Sequence, residues 1–302
     1  MFSRHAFAGW IPTIRSRAMN SPRHRSNGRA GFTLVELIVV IVVLGILSAA
    51  VSVFVANPVR AYFETMRRAQ MTDAADLVVR RITRELQMAL PNSVRISASA
   101  STVFMEFIPV NDAGRYRAAV SGGNEPTGTD ALDITDLADT TFQVLGQPVT
   151  VNAGAQLVIF NLGSGDLDAY AGANRRVVAT APGSVSALSF LPTAATFPAD
   201  SPEHRFYLVS KAVTFTCTPA ADGTGTIERF AGYDLQAAQP TNAAAAPLAT
   251  ASHSLVVDHV SACSFVNGNT LASINTVDLA LKIADGGEAV TLQAQVALQN
   301  SP

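Results

Sequence analysis

Twenty-five consecutive residues, Phe32 to Ala56, contain just four polar side chains: Thr33, Glu36, Ser48 and Ser52. As a helix rising 1.5 Å per residue, this run is about 37 Å long. That is enough to cross a hydrocarbon core of about 30 Å. A chain with such a segment near its start is expected to anchor by it and to fold its remainder elsewhere. The carboxylate of Glu36, fifth in the run, is costly in apolar surroundings. Ionisable groups inside membrane segments generally have a partner and a task.

Charge is divided unevenly around this run. Six of the 21 basic side chains, Arg4, Arg15, Arg17, Arg23, Arg25 and Arg29, lie in residues 1–31, which hold no acid. The rest of the chain has 15 basic and 23 acidic side chains, a net charge of −8. A basic leader before an apolar helix keeps the N-terminus in the cytoplasm and exports the chain beyond the helix. An acidic exported portion argues against nucleic acid as a partner. Met19 is an alternative start, giving the shorter leader MNSPRHRSNGRAG.

The junction itself carries a pattern. Gly31, which lacks a Cβ and leaves its peptide bond accessible, is followed by Phe32-Thr33-Leu34-Val35-Glu36-Leu37 and the apolar helix. This resembles the type IV prepilin signal. The resemblance implies cleavage between Gly31 and Phe32 by a prepilin peptidase and N-methylation of Phe32. It also implies that Glu36 faces the terminal ammonium of a neighbouring subunit during fibre assembly. Pairing offsets the desolvation of both charges, so Glu36 acts as a register device. Val53 stands where many pilins carry proline, and Pro58 is the candidate here for a kink or break in the helix. With Gly45 it marks a segment expected to loosen when subunits pack.

Beyond Pro58 the helix is expected to continue to about Leu90. Phe63, Met66, Ala74, Leu77, Val78, Ile82, Leu86 and Ala89 recur at spacings of three and four, an amphipathic face. Arg67, Arg68, Arg80, Arg81 and Arg84 are read as a solvated face or a contact with acidic neighbours. Pro91 ends the helix. From Val94 onward, short β-branched and aromatic runs alternate with turn residues. Expected strands include Val94–Ile96, Val103–Ile108, Tyr116–Val120, Leu132–Ile134, Thr141–Val144, Val185–Leu191, Val213–Cys217 and Ile227–Tyr233. Thr276–Ile283 and Val290–Leu298 alternate cleanly around Asp285-Gly286-Gly287 and predict an antiparallel hairpin. The Ala- and Pro-rich stretch Gln236–Thr250 predicts an exposed loop.

The fold class is therefore α+β and pilin-like: a leader over 1–31, a long helix over 32–90 whose segment 32–56 spans the membrane, and an exported antiparallel β domain over 91–302. More narrowly, the chain resembles the MshO family of minor prepilins of the MSHA (mannose-sensitive haemagglutinin) pilus, and more distantly the pseudopilin J and PilW types. The likeness rests on Arg84-Glu85-Leu86 and Ala89-Leu90-Pro91-Asn92-Ser93-Val94-Arg95, Gly114-Arg115-Tyr116-Arg117, Val260 to Phe265, and Gln295 to Pro302. It implies a minor pilus subunit that primes assembly or sits at the tip. The alternatives are a pseudopilin of a type II secretion tip complex and a tip adhesin. Implied partners are the prepilin peptidase, other major and minor pilins, the inner-membrane assembly platform and membrane lipid. The implied location is the inner membrane, with the C-terminal domain periplasmic, and then the extracellular fibre.

No catalytic constellation and no cofactor motif is visible, so the chain is read as a non-enzyme. His5, His24, His204, His253 and His259 are not spaced as metal pairs. The turn Gly163-Ser164-Gly165-Asp166-Leu167-Asp168, with Asn161 beside it, is oxygen-rich. Asp166 and Asp168 make a weak Ca²⁺ candidate, and turn chemistry alone also explains them. Cys217 and Cys263 are expected to close a disulfide in an oxidising compartment, the alternative being two buried thiols.

Overall fold

The computed structural model describes residues 31–118, 130–271 and 274–298. Residues 1–30 of the expected leader and part of the expected strand Tyr116–Val120 lie outside them. The chain divides into two units, residues 1–58 and residues 59–302. One helix, α1 (Leu34–Gln87), crosses the division.

In the first unit, α1 is apolar on every side. Leu34, Ile41, Ile46 and Phe54 are 73%, 61%, 65% and 84% exposed. The helix continues through Pro58 instead of breaking there. Proline removes one backbone donor, and the intact turns on both sides carry the helix past that loss.

Among the described residues of the second unit, α1 is followed by fifteen strands. These are β1 (Arg95–Ser99), β2 (Thr102–Phe107), β3 (Val110–Tyr116), β4 (Thr141–Leu145), β5 (Val149–Val151), β6 (Gln156–Ile159), β7 (Arg175–Val177) and β8 (Gly183–Val185), then β9 (Ala187–Ser189), β10 (Arg205–Val209), β11 (Ala212–Thr218), β12 (Gly225–Tyr233), β13 (Ser252–Leu271), β14 (Ile274–Asp285) and β15 (Glu288–Ala297). A seven-stranded antiparallel sheet has the order β1-β2-β11-β12-β13-β14-β15. A six-stranded sheet has the order β7-β6-β10-β3-β4-β9, and β5 pairs with β8.

The two large sheets share a ribbon. β2 pairs with β11 in the first, and β3 pairs with β10 in the second. The chain changes sheet at Ile108-Pro109 and again at Ser210-Lys211. Pro109 lacks an N–H and suits such a corner. Packed at this junction are Leu90, Phe104, Ile108, Val158, Val209 and Phe230.

The face of α1 that packs on the seven-stranded sheet keeps Val78, Ile82 and Leu86 of the expected set, with Ala89 just past the helix end, and adds Met71 and Ala75. Met71, Ala75, Val78, Ile82 and Leu86 enter the core with Phe107, Phe215 and Leu279. Each fully buried aliphatic side chain such as Ile82 or Leu86 contributes about 2 kcal/mol. Phe63 and Leu77, expected on the buried face, are 60% and 67% exposed. The helix closes three residues before Leu90: Met88 and Ala89 donate back three residues, and the Leu90 N–H goes to the Ile108 carbonyl at 2.7 Å.

Other differences arise from pairing. Leu132 forms a single bridge to Ala118 rather than a strand. The Val185–Leu191 run splits into the end of β8 and β9, which pair with different strands. The hairpin at Gly286-Gly287 forms in the expected place, with Asp285 opposite Glu288 and both glycines at positive φ, 58° and 86°. Two such residues in succession make the turn that matches strand twist.

The basic cluster Arg67, Arg68, Arg80, Arg81 and Arg84 is engaged within the unit. Arg67 Nη1 donates to the Gly286 carbonyl at 3.1 Å, and Arg68 bonds Glu288. The Arg68 guanidinium holds the Glu288 carboxyl below its ordinary range. Gln236–Thr250 is exposed for most of its length but pinned. Arg95 Nη1 and Nη2 donate to the carbonyls of Ala237 and Gln236 at 2.8 and 2.7 Å, and Leu248 is fully buried.

Candidate functional site

The residues that carry the processing pattern stand at the open start of α1. Thr33 caps this helix. Its Oγ1 accepts the Glu36 N–H at 3.2 Å, and its carbonyl accepts the Leu37 N–H at 3.2 Å. A helix leaves its first N–H groups without partners, and a Thr side chain at the cap satisfies one of them. The Thr-x-x-Glu spacing is a capping signature in the sequence. As a member of the signal pattern, Thr33 shows no separate structural role until this hydrogen bond is seen. The cap places Glu36 in the first helical turn, where the helix dipole favours a carboxylate.

Gly31 is exposed, and a Cβ added there would meet nothing within 4 Å. Among the described residues, nothing around Gly31 demands glycine. Phe32 next to it is 80% exposed. Gly45, in mid-helix, is equally open. Glycine there costs about 1 kcal/mol relative to alanine, and a small residue in a membrane helix lets a second helix approach closely.

The α1 helix contains a segment long and apolar enough to cross a membrane, and none of that segment is buried. A surface of this kind is stable in lipid or against other apolar helices, and in water it drives association.

Cys217 and Cys263 are bonded to each other, with Cα atoms 6.6 Å apart. The bond joins β11 to β13, strands separated in the sheet by β12.

The oxygen-rich turn forms a short 3₁₀ segment at Gly165–Leu167. Asp168 accepts the Tyr170 N–H at 2.9 Å, and Asp166 is exposed. Asn161 turns inward, donating to the Pro91 carbonyl at 2.7 Å and accepting the Ala169 N–H at 2.8 Å. Among the described residues, no three His, Cys, Asp or Glu side chains gather into a metal-holding group. His253 stacks on Phe230, and His204 lies 3.5 Å from Asp200.

Residues 26–52 match the family model described as the prokaryotic N-terminal methylation motif. No curated protein and no solved structure matches the chain. The matched segment contains Gly31, Phe32, Thr33 and Glu36 and runs into the exposed apolar helix. Together they support a type IV pilin-like protein, cut by a prepilin peptidase, anchored in the inner membrane and assembled with other pilins.

Proposed function

We propose that this chain is a minor subunit of an MSHA-type type IV pilus, incorporated at low copy near the fibre tip, where it primes assembly. The observation that carries the pilin part is the methylation motif at the mouth of an apolar helix that none of the described residues covers. Such a helix needs neighbours of the same kind. The MSHA assignment draws on the sequence likeness around Arg84–Arg95 and Val260–Phe265. Low copy number is argued from bulk. Two sheets of seven and six strands on one helix crowd a regular helical array.

Before assembly the basic leader stays in the cytoplasm and the β domain stands in the periplasm. After cleavage, the new ammonium of Phe32 and the carboxylate of Glu36 on an adjacent subunit neutralise each other in the apolar bundle.

The test is peptide mass spectrometry of filaments sheared from the native host. The expected finding is an N-terminal peptide beginning at Phe32, one methyl group heavier than unmodified, at a small fraction of the major subunit's abundance. Retention of Gly31, or absence of the chain from filaments, would reject the proposal.

A further inference from the structure

Every large sheet has two edges, and an edge presents unpaired N–H and C=O groups that natural proteins generally blunt. Three of the four edges here are blunted. β7 and β9, at the ends of the six-stranded sheet, are three residues each. β1 has five residues and lies under the pinned loop, where Gln239 Nε2 donates to the Arg95 carbonyl at 3.3 Å and the Phe104 carbonyl at 3.1 Å.

The fourth edge, β15, is different. It has ten residues and pairs with β14 along its whole length without a register shift. The β11–β12, β12–β13 and β13–β14 pairings all contain irregularities. From Glu288 to Ala297 there is no Lys, Arg or Pro. The single charge, Glu288, is tied back to Arg68. Ala289, Thr291, Gln293 and Gln295 are exposed, and Val290, Leu292 and Val296 pack toward the core. Among the described residues, no strand covers the outer side of β15.

Beside this edge the outer sheet face holds a shallow cavity of about 400 Å³, lined by Ser264, Asp278, Gln293 and Gln295 among others. Among the described residues, Asp278 is its one ionisable group. Its Oδ1 accepts from Gln295 Nε2 at 2.8 Å.

We propose that β15 is a docking edge for an extended strand of another pilin-like subunit, one that carries a basic side chain on its outward face opposite Asp278. Main-chain hydrogen bonds to a sheet edge supply affinity, and pockets for alternate side chains supply specificity. An added strand lies about 10 Å from β14, two strand spacings away. A Lys or Arg stem laid over Gln293 and Gln295 brings its charge toward the Asp278 carboxylate. The net acidic character of the exported chain favours the same sign of partner. The proposal depends on the fibre-subunit reading only for which protein supplies the strand, so edge binding and N-terminal processing fail separately.

The test uses the full chain in detergent micelles and three fluorescein-labelled decapeptides, read by anisotropy. The first alternates Thr and Val with one central outward Arg, the second replaces that Arg by Glu, and the third places Pro at the centre. The Arg peptide is expected to saturate and the Pro peptide to bind at least tenfold more weakly. Asp278→Asn should bring the Arg and Glu peptides to similar affinity. Gln293→Lys should weaken the Arg peptide at least tenfold, because a lysine on an edge strand opposes pairing. If Gln293→Lys lowers the thermal midpoint, Thr291→Lys repeats the test at a second exposed position. Equal binding of the Arg and Pro peptides, or binding indifferent to both lysine variants, would overturn the proposal.

Discussion

Arg229 on β12 holds Glu85 on α1, its Nε lying 2.8 and 3.1 Å from the two carboxylate oxygens. Arg81, one turn back along the helix, shares the same carboxylate at 3.3 Å. Both partners of the Arg229–Glu85 pair are largely shielded, with side chains 24% and 19% exposed. This contact fastens the helix to the sheet beside the apolar face formed by Ile82 and Leu86.

Arg229→Ala should therefore destabilise the fold by about 1–2 kcal/mol, below the full range for a charged hydrogen bond because water still reaches the pair. Urea unfolding of the oxidised protein measures it. Glu85→Ala should cost a similar amount, and the double variant less than the sum of the two. Strict additivity would mean that the pair contributes nothing jointly.

Glu36→Ala should leave cleavage at Gly31 intact, since Thr33 Oγ1 caps the Glu36 N–H and not its side chain. Incorporation into filaments should fall at least tenfold, because the ammonium of Phe32 then enters the apolar bundle without its counter-charge. Quantitative immunoblotting of membranes against sheared filaments separates the two steps. Normal filament levels would remove Glu36 from assembly.

The Cys217–Cys263 bond closes a loop with a sequence separation of 46. In the chain-entropy account, a loop of that size stabilises the folded state by about 4 kcal/mol. Reduction, or replacing both cysteines by alanine, should lower the urea midpoint by a corresponding amount. The alanine pair should cost more than reduction, since Cys217 is fully buried in the core and alanine leaves a void. A loss under about 1 kcal/mol in both cases would contradict the account.

Glu106 is fully buried and bonded to Arg95 Nε at 2.6 Å and to the Tyr233 hydroxyl at 2.9 Å. Burial raises its carboxyl above the ordinary value of 4.5, and the bonds from Arg95 and Tyr233 offset part of that rise. The folded state then holds this proton more tightly than the unfolded chain. The Glu106 contribution to stability should accordingly fall as pH rises from 4.5 through the raised value, then level off. The difference in stability between wild type and Glu106→Gln isolates the effect, because the remaining carboxylates are common to both. A difference that increases with pH in that window would refute it. At neutral pH, Arg95→Met should cost about 3–5 kcal/mol by stranding a buried charge, and adding Glu106→Gln should recover part of the loss.

The anchor was legible without coordinates because its signal is local. A run of apolar residues from Phe32 to Ala56 reads the same in any context, and so does the order Gly31, Phe32, Thr33, Glu36 at its mouth. The β14–β15 hairpin was legible for the same reason, since Asp285-Gly286-Gly287 requires backbone angles that few other residues adopt. The cap at Thr33 lies in the Thr-x-x-Glu spacing, a local signal that the surrounding hydrophobic run masks.

Tertiary structure decided the rest where several local readings were equally good. The second half of α1 has apolar residues on more than one side; Val78, Ile82 and Leu86 were legible from their spacing, and only the sheet selects Met71 and Ala75 over Phe63 and Leu77. The ribbon that bends from β2–β11 into β3–β10 joins segments far apart in the chain. Arg95 finds the Gln236 and Ala237 carbonyls across 141 and 142 residues. Such contacts depend on which surfaces meet in space, and periodicity and composition describe only neighbours along the chain.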